Sequence, residues 1–171
     1  MIKYRFADKV TLSPDIPAAA RTWRNLPEIR RWCRQNSVIS EAEHNDWLRR
    51  QHEDPTIKMF GIWKGGNAIG VCGFTSIDRL NRSAEFSLYI IPSLKGQGYG
   101  AMALRVLCTH GFRDWGFNRI WGEVFDGNPA LQIFRDVGFH EEGLLRQAYF
   151  REGTFVNAHR IAVLAGEWKC S

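Results

Sequence analysis

Apolar positions recur along this chain with two periods, near 2 and near 3.6, and the switches between them mark out the elements. Ile2, Tyr4 and Phe6 alternate with Lys3 and Arg5, as on a half-exposed strand. Pro14 and Pro17 open a helical stretch through Trp23, and Pro27 starts another short helix. Ser40-Glu41-Ala42-Glu43 has capping-box spacing and begins a helix reaching about His52. Ile57 to Trp63 reads as a strand, Gly65-Gly66-Asn67 as a hairpin turn and Ala68 to Ile77 as the returning strand. A polar connection, Asp78-Arg79-Leu80-Asn81-Arg82, precedes a strand with Ala84, Phe86, Leu88 and Ile90 on one face and Glu85, Ser87 and Tyr89 on the other. Beyond a glycine-rich stretch, Ala101, Leu104, Leu107, Cys108, Gly111 and Trp115 fall at helical spacing. Arg119 to Phe125 is a predicted strand and Pro129 to Val137 a helix. Two strands finish the chain, near Gly143–Phe150 and Val156–Ala165, around the turn Arg151-Glu152-Gly153-Thr154. No repeat, low-complexity run or linker interrupts this order. The pattern predicts one α/β (α+β) domain over residues 1–171. Its mixed, mostly antiparallel central sheet has six to seven strands, helices on both faces and one βαβ unit at its centre.

The glycine-rich stretch is where chemistry enters. Lys95-Gly96-Gln97-Gly98-Tyr99-Gly100-Ala101 lies between a strand and a helix. Glycines there let the backbone turn with positive φ and approach a ligand closely. The amides then point at an anion, at the positive end of the helix dipole. Lys95 adds a mobile charge, so the loop suits a pyrophosphate. It is not a Walker A loop, because no Gly-Lys-Ser/Thr follows. Gly96, Gly98 and Ala101, with Glu123 roughly twenty residues on, match the dinucleotide fingerprint. That fingerprint opens a βαβαβ half with a second half behind it, whereas this one sits mid-chain after strand-rich sequence. A loop whose glycines merely turn a corner is the remaining reading of the stretch taken alone.

A second block downstream completes a pattern. Asn128-Pro129-Ala130, then Phe134, then Gly138-Phe139 follow the loop at a spacing that, with Lys95–Ala101, resembles the GNAT superfamily of N-acetyltransferases over about residues 4–168. Trp23-Arg24-Asn25, Trp32, Glu43-His44 and Trp47-Leu48 resemble the branch of ribosomal-protein N-terminal acetyltransferases. Residues 73–78 and 84–90 are most similar to the sugar-nucleotide amine acetyltransferases of pseudaminic-type acid synthesis.

The resemblance implies a donor, acetyl-CoA, and an acetyl group moved to a primary amine by direct attack in a ternary complex. It implies that Lys95, Gly96, Gln97, Gly98, Tyr99, Gly100 and Ala101 grip the pyrophosphate. The pantetheine arm would run beside Leu88, Tyr89 and Ile90, where a backbone N–H would stabilise the oxyanion. Asn128, Ala130 and Phe134 would flank its other side. Glu85 is the first candidate to accept the amine's proton, with Glu123 and then His159 behind it. The family's usual thiolate-protonating tyrosine aligns with Phe134, which has no proton to give. Either the thiolate leaves unassisted or another donor serves, with Tyr149 the substitute on sequence and Tyr89 the weaker one. Trp23, Arg24 and Asn25 are candidate acceptor walls between the N-terminal helices and the C-terminal hairpin. The best-guess acceptor is an amino-sugar nucleotide. The alternatives are a protein N-terminus, an aminoglycoside or other small amine, and a non-catalytic acyl-CoA sensor. A cationic acceptor would predict acidic residues such as Glu28, Glu41 and Asp46 at the mouth.

Composition narrows the partners only a little. The net charge of +5 favours polyanions such as coenzyme A or a nucleotide sugar. Lys and Arg are scattered, which argues against nucleic acid. The densest cluster, Arg30-Arg31 with Arg34, reads as a solvated helix face. Cys33, Cys72, Cys108 and Cys170 have neither CxxC nor metal-ligand spacing with any histidine, so free thiols and no metal are expected. The N-terminus lacks a signal-like apolar core and no run approaches spanning length, so a cytoplasmic protein with no membrane partner is expected. A homodimer is implied by resemblance alone.

Overall fold

The computed structural model describes residues 10–169, and the strand expected at residues 2–6 lies outside them. The elements are β1 (Thr11–Ser13), α1 (Ala20–Arg24), α2 (Pro27–Arg30), α3 (Glu41–Glu53), β2 (Lys58–Lys64), β3 (Asn67–Asp78) and β4 (Ser83–Ile90), followed by α4 (Tyr99–Arg113), β5 (Arg119–Phe125), α5 (Ala130–Val137), β6 (His140–Arg151) and β7 (Thr154–Leu164). One seven-stranded sheet runs in the order β1-β2-β3-β4-β5-β7-β6. Among the described residues only β4 and β5 pair in parallel, which makes β4–α4–β5 the central βαβ unit.

Local rules account for the element ends. The helix expected from Pro14 through Trp23 shrinks to Ala20–Arg24, opened by a turn from Ala20 N–H to the Pro17 carbonyl at 2.8 Å. It cannot run on into the next helix because Leu26, ahead of Pro27, is held extended at φ −61°, ψ 133°. The Ser40 capping box forms: Ser40 Oγ accepts from Glu43 N–H at 3.2 Å, and the Glu43 carboxylate accepts from Ser40 N–H at 2.7 Å. α3 then docks through Gln51, whose Oε1 accepts from Met59 N–H at 3.0 Å.

The main core lies between one sheet face and helices α4 and α5. It includes Phe74, Leu104, Leu107, Cys108, Ile120 and Ile161. A smaller cluster on the other face joins Ala20 of α1, Met59, Val71 and Tyr89, with Trp47 of α3 against it. No helix among the described residues is long and apolar enough to cross a membrane.

The sheet forks at its centre. β4 and β5 pair at Ser83↔Arg119, Ala84↔Ile120 and Glu85↔Trp121 and then part, although β4 runs on to Ile90 and β5 to Phe125. β3 keeps β4 as far as Ile90, and β7 keeps β5 as far as Phe125. Phe86 fills the crotch of the fork. A Cβ at Gly122 would stand 2.5 Å from its ring, so only glycine fits there. The ring packs on Phe134 and Phe139, with centroids 5.1 and 4.9 Å away.

β6 bends to reach the same region. Leu145 faces Ala158 and Tyr149 faces Val156, so β6 spends four steps where β7 spends two. Within that bulge Gln147 sits at φ 51° and donates its N–H to Asn157 Oδ1 at 2.8 Å. The hairpin tip turns onto the segment after α2, where Arg151 donates to the carbonyls of Arg31, at 3.0 Å, and Cys33.

Candidate active site

The loop ahead of α4 is an array of free donors. Gly96 and Gly98 both stand at φ 80°, and Gly98 is the N-cap of α4 without any side-chain cap. No carbonyl of the described residues accepts from the amides of residues 96 to 101. Open space surrounds Gly96, and the first α4 turn leans on Leu88 and Ile90 through Gly100. Donors, helix dipole and exposed Lys95 together form a cradle for a multiply charged anion at the open end of β4. Across the fork, Asn128 spends its Oδ1 on Ala130 N–H at 3.0 Å, which leaves its Nδ2 donors unengaged among the described residues.

A carboxylate pair sits on the other face of the fork. Strand alternation brings Glu85 of β4 and Glu123 of β5 to the face covered by α1 and the segment after α2. Their side chains are only 7% and 8% exposed. Arg34 holds Glu85 through both terminal guanidinium nitrogens, one at 3.1 Å, and reaches Glu123 at 3.5 Å. Thr75 and Ser76 hydroxyls stand 3.3 and 3.5 Å from the Glu85 carboxylate. Glu123 accepts from the Tyr149 hydroxyl and from Arg160. Burial pushes the Tyr149 phenol up, and its hydrogen bond to Glu123 pushes it further, so it keeps its proton across the neutral range. Burial lowers the Arg34 guanidinium, but the bond to Glu85 outweighs that and raises it, so Arg34 stays charged. The site therefore has two buried carboxylates, a protonated phenol beside one of them, and an amide-lined anion cradle at the other end of the same fork. Such a set can relay a proton and bind an anionic carrier.

Several expected residues sit elsewhere. Tyr99 is buried and its hydroxyl meets Lys64 of β2, so only its backbone belongs to the loop. Phe134 is core, 8% exposed against Phe86. Tyr89, expected beside the pantetheine arm, turns its ring into the Met59 cluster and donates to the Ala20 carbonyl at 3.2 Å. Asn25 spends its amide on the Ile39 backbone at 2.9 and 2.8 Å, and Arg24 donates to the Gln35 carbonyl at 2.7 Å. Both therefore hold the 31–39 segment, with half-buried Trp23 beside them in α1. His159 is clamped between Glu141 at 2.6 Å and Asp126 at 3.2 Å, away from the carboxylate pair. Asp46 is paired with Arg49 and Arg50 along α3.

Glu85 takes the face that alternation assigns to it and is buried there, because the segment after α2 covers it. One reading needs correction. Arg34 is not part of a solvated helix face: α2 ends at Arg30, and Arg34 reaches the fork from irregular chain. Nothing in local spacing marks it, since its partners lie 51 and 89 residues away. Among the described residues no His, Cys, Asp and Glu group is arranged to hold a metal ion.

Residues 8–140 match the family model described as acetyltransferase (GNAT) domain. The chain is 30% identical over 118 residues to acetyltransferase PseH of Campylobacter jejuni, covering 68% of this chain and 72% of that protein. It is 24% identical over 145 residues to spermidine N(1)-acetyltransferase of Escherichia coli, covering 84% and 78%. The structure of spermidine N-acetyltransferase from Vibrio cholerae in complex with CoA and spermine shares the fold. Its TM-score is 0.87 at 22% identity, over 93% of this chain and 97% of that one.

Proposed function

This chain belongs to the GNAT acetyltransferase family as an acetyl-CoA-dependent N-acetyltransferase, and from that premise we propose that its acceptor is a small-molecule primary amine. A free amine of the polyamine kind is supported better than the nucleotide-linked amino sugar first expected. Spermidine N(1)-acetyltransferase aligns over most of both chains, and the Vibrio cholerae neighbour is in complex with CoA and spermine. The observation that carries the reading is the buried pair Glu85 and Glu123 at the fork, facing the segment after α2.

In this reading the 95–101 loop holds the donor's pyrophosphate and β4 lines its arm past Glu85. Asn128 donates to it from the other side of the fork. Glu85 takes a proton from the amine, directly or through one water. The amine nitrogen then bonds to the thioester carbonyl carbon, and a backbone N–H within residues 88–90 stabilises the oxyanion. The C–S bond breaks, Tyr149 gives its proton to the departing thiolate, and the second proton of the acetylated nitrogen passes to Tyr149 through water, which restores the phenol. Glu123 holds the Tyr149 hydroxyl in place. Phe134 takes no part in proton transfer. A cytoplasmic location belongs to the same reading, as does self-association to at least a homodimer. β6 is an edge strand whose Leu144 and Phe150 are 45% and 66% exposed, and light scattering reads the assembly.

The amino-sugar nucleotide stays as a second reading because the Arg34 side chain is 45% exposed at the mouth, where a guanidinium can meet a diphosphate. The test is thiol release from acetyl-CoA against spermidine, spermine, aminoglycosides, a UDP-amino sugar and Ser- or Ala-starting peptides. Turnover of free amines supports the proposal, and turnover confined to the UDP-amino sugar moves weight to the second reading. Activity on peptides alone overturns both. Acetyl-CoA binding by calorimetry with no turnover leaves an acyl-CoA sensor.

A further inference from the structure

Resting on the small-amine reading above, we propose that Arg34 is an internal stand-in for the acceptor's ammonium group: it occupies the cation place between Glu85 and Glu123, and a cationic acceptor enters by displacing it. Arg34 is the donor shared by both carboxylates among the described residues. Its base is fixed, because Arg151 holds the carbonyls of Arg31 and Cys33 and Arg24 holds that of Gln35. Its side chain is 45% exposed, while the carboxylates beneath are nearly closed off. The base can therefore stay in place while the guanidinium swings out into water.

The exchange is chemically selective. When Arg34 leaves, Glu85 keeps the Thr75 and Ser76 hydroxyls, and Glu123 keeps Tyr149 and Arg160. Glu85 is then without a cation, while Glu123 still has Arg160. A protonated amine restores that charge with up to three donors. A neutral or anionic group cannot, and would leave a buried carboxylate uncompensated. Only the arginine end of the pair is exposed, so the guanidinium can pass into water, and the incoming cation offsets the cost of uncovering the buried Glu85 carboxylate. Arg34 thus makes the site select for a cation, which then surrenders its proton to the carboxylate that drew it in.

The test is the kinetics of Arg34→Gln and Arg34→Lys with spermidine varied at saturating acetyl-CoA. Removing the competitor lowers the spermidine KM of Arg34→Gln about fivefold and leaves the acetyl-CoA KM unchanged. Arg34→Lys, which keeps a cation, stays near wild type. An unchanged or raised spermidine KM in Arg34→Gln overturns the proposal, the second outcome meaning that Arg34 grips the acceptor itself. Nitrogen-15 spectra of the arginine side chains in the wild-type protein with CoA supply a readout free of turnover and of any folding defect in the variants. Arg34 shows hindered guanidinium rotation that is released on adding ethylammonium chloride. If wild type acetylates no amine, the proposed function fails, yet this titration still decides the role of Arg34. A guanidinium that stays hindered, or was never hindered, refutes it.

Discussion

Replacing Gly122 by alanine puts one methyl group into the crotch of the fork, and its cost follows from the coordinates. The new Cβ would lie 2.5, 3.0 and 3.1 Å from three carbons of the Phe86 ring. Carbon atoms settle at about 3.5–4.0 Å, so ring or strand must withdraw by about 1 Å. The ring has nowhere to go, because Phe134 and Phe139 close it in from α5 and the following turn. Overpacking of this kind costs about 1–3 kcal/mol. Reduced freedom of the unfolded chain returns about 0.4–1 kcal/mol. The net loss is about 1–2 kcal/mol, and at about 2–4 °C per kcal/mol for a chain of this size Tm falls by about 2–8 °C. Thermal unfolding followed by circular dichroism measures it. In a Phe86→Leu background the methyl finds room, so the two changes couple by about 1 kcal/mol in a double-mutant cycle. A strand pushed aside also widens the fork past Glu85, so the acetyl-CoA KM of Gly122→Ala rises. A Gly122→Ala variant that melts with or above wild type, or a cycle that adds without coupling, refutes the reasoning.

Other expectations concern the loop, the phenol and a charged cluster. Gly98→Val forces a β-branched residue to φ 80°, where its Cβ would meet only Met102 Cε in ordinary contact at 3.8 Å, so strain rather than a clash disturbs the cradle. Calorimetry should show acetyl-CoA binding weakened about tenfold, at about 1–2 kcal/mol of strain. Tyr149→Phe removes the proposed acid and should lower kcat about a hundredfold with the acetyl-CoA KM kept. Because the Tyr149 phenol is raised, the alkaline limb of wild-type kcat should lie above the ordinary tyrosine value, about 10. Burial alone would lower the His159 imidazole, but its hydrogen bonds to Glu141 and Asp126 prevail and raise it. A raised folded-state value means that His159 adds stability fully present below about pH 6.5, its unfolded value, and lost as pH rises through the folded one. Urea midpoints of wild type should fall across that window more than those of His159→Gln.

What was legible in the sequence was what nearest neighbours along the chain decide. The Ser40 capping box, the Gly65-Gly66 turn, the alternation of β4 and the positive-φ glycines at 96 and 98 all depend on residues a few positions apart, and all were readable. The parallel centre followed from the strand–loop–helix–strand order around residues 84–125. The failures share a different cause. Tyr99 sits in a motif, but its side chain answers to Lys64 on another strand. Asn25 looked like a cleft wall and instead staples Ile39. Arg34 carries no local signature, because its role exists only once β4 and β5 lie beneath it. The burial of Glu85 is likewise a property of what packs over it, which strand periodicity does not encode.

The fork has a further meaning for the protein as a material. Past Glu85 and Trp121 the strands from β1 to β4 and those from β5 to β7 share no ladder, so the unloaded domain carries two raw sheet edges inside its own body. An extended donor arm lying between them would act as mortar, joining the two half-sheets through a molecule that is consumed and replaced at every cycle. The amides of Leu88 and Ile90, which alternate with those donated to β3, would then exchange with solvent on a clock set by occupancy. The cohesion of the whole domain, and its resistance to proteases, would track how much acetylated carrier surrounds it.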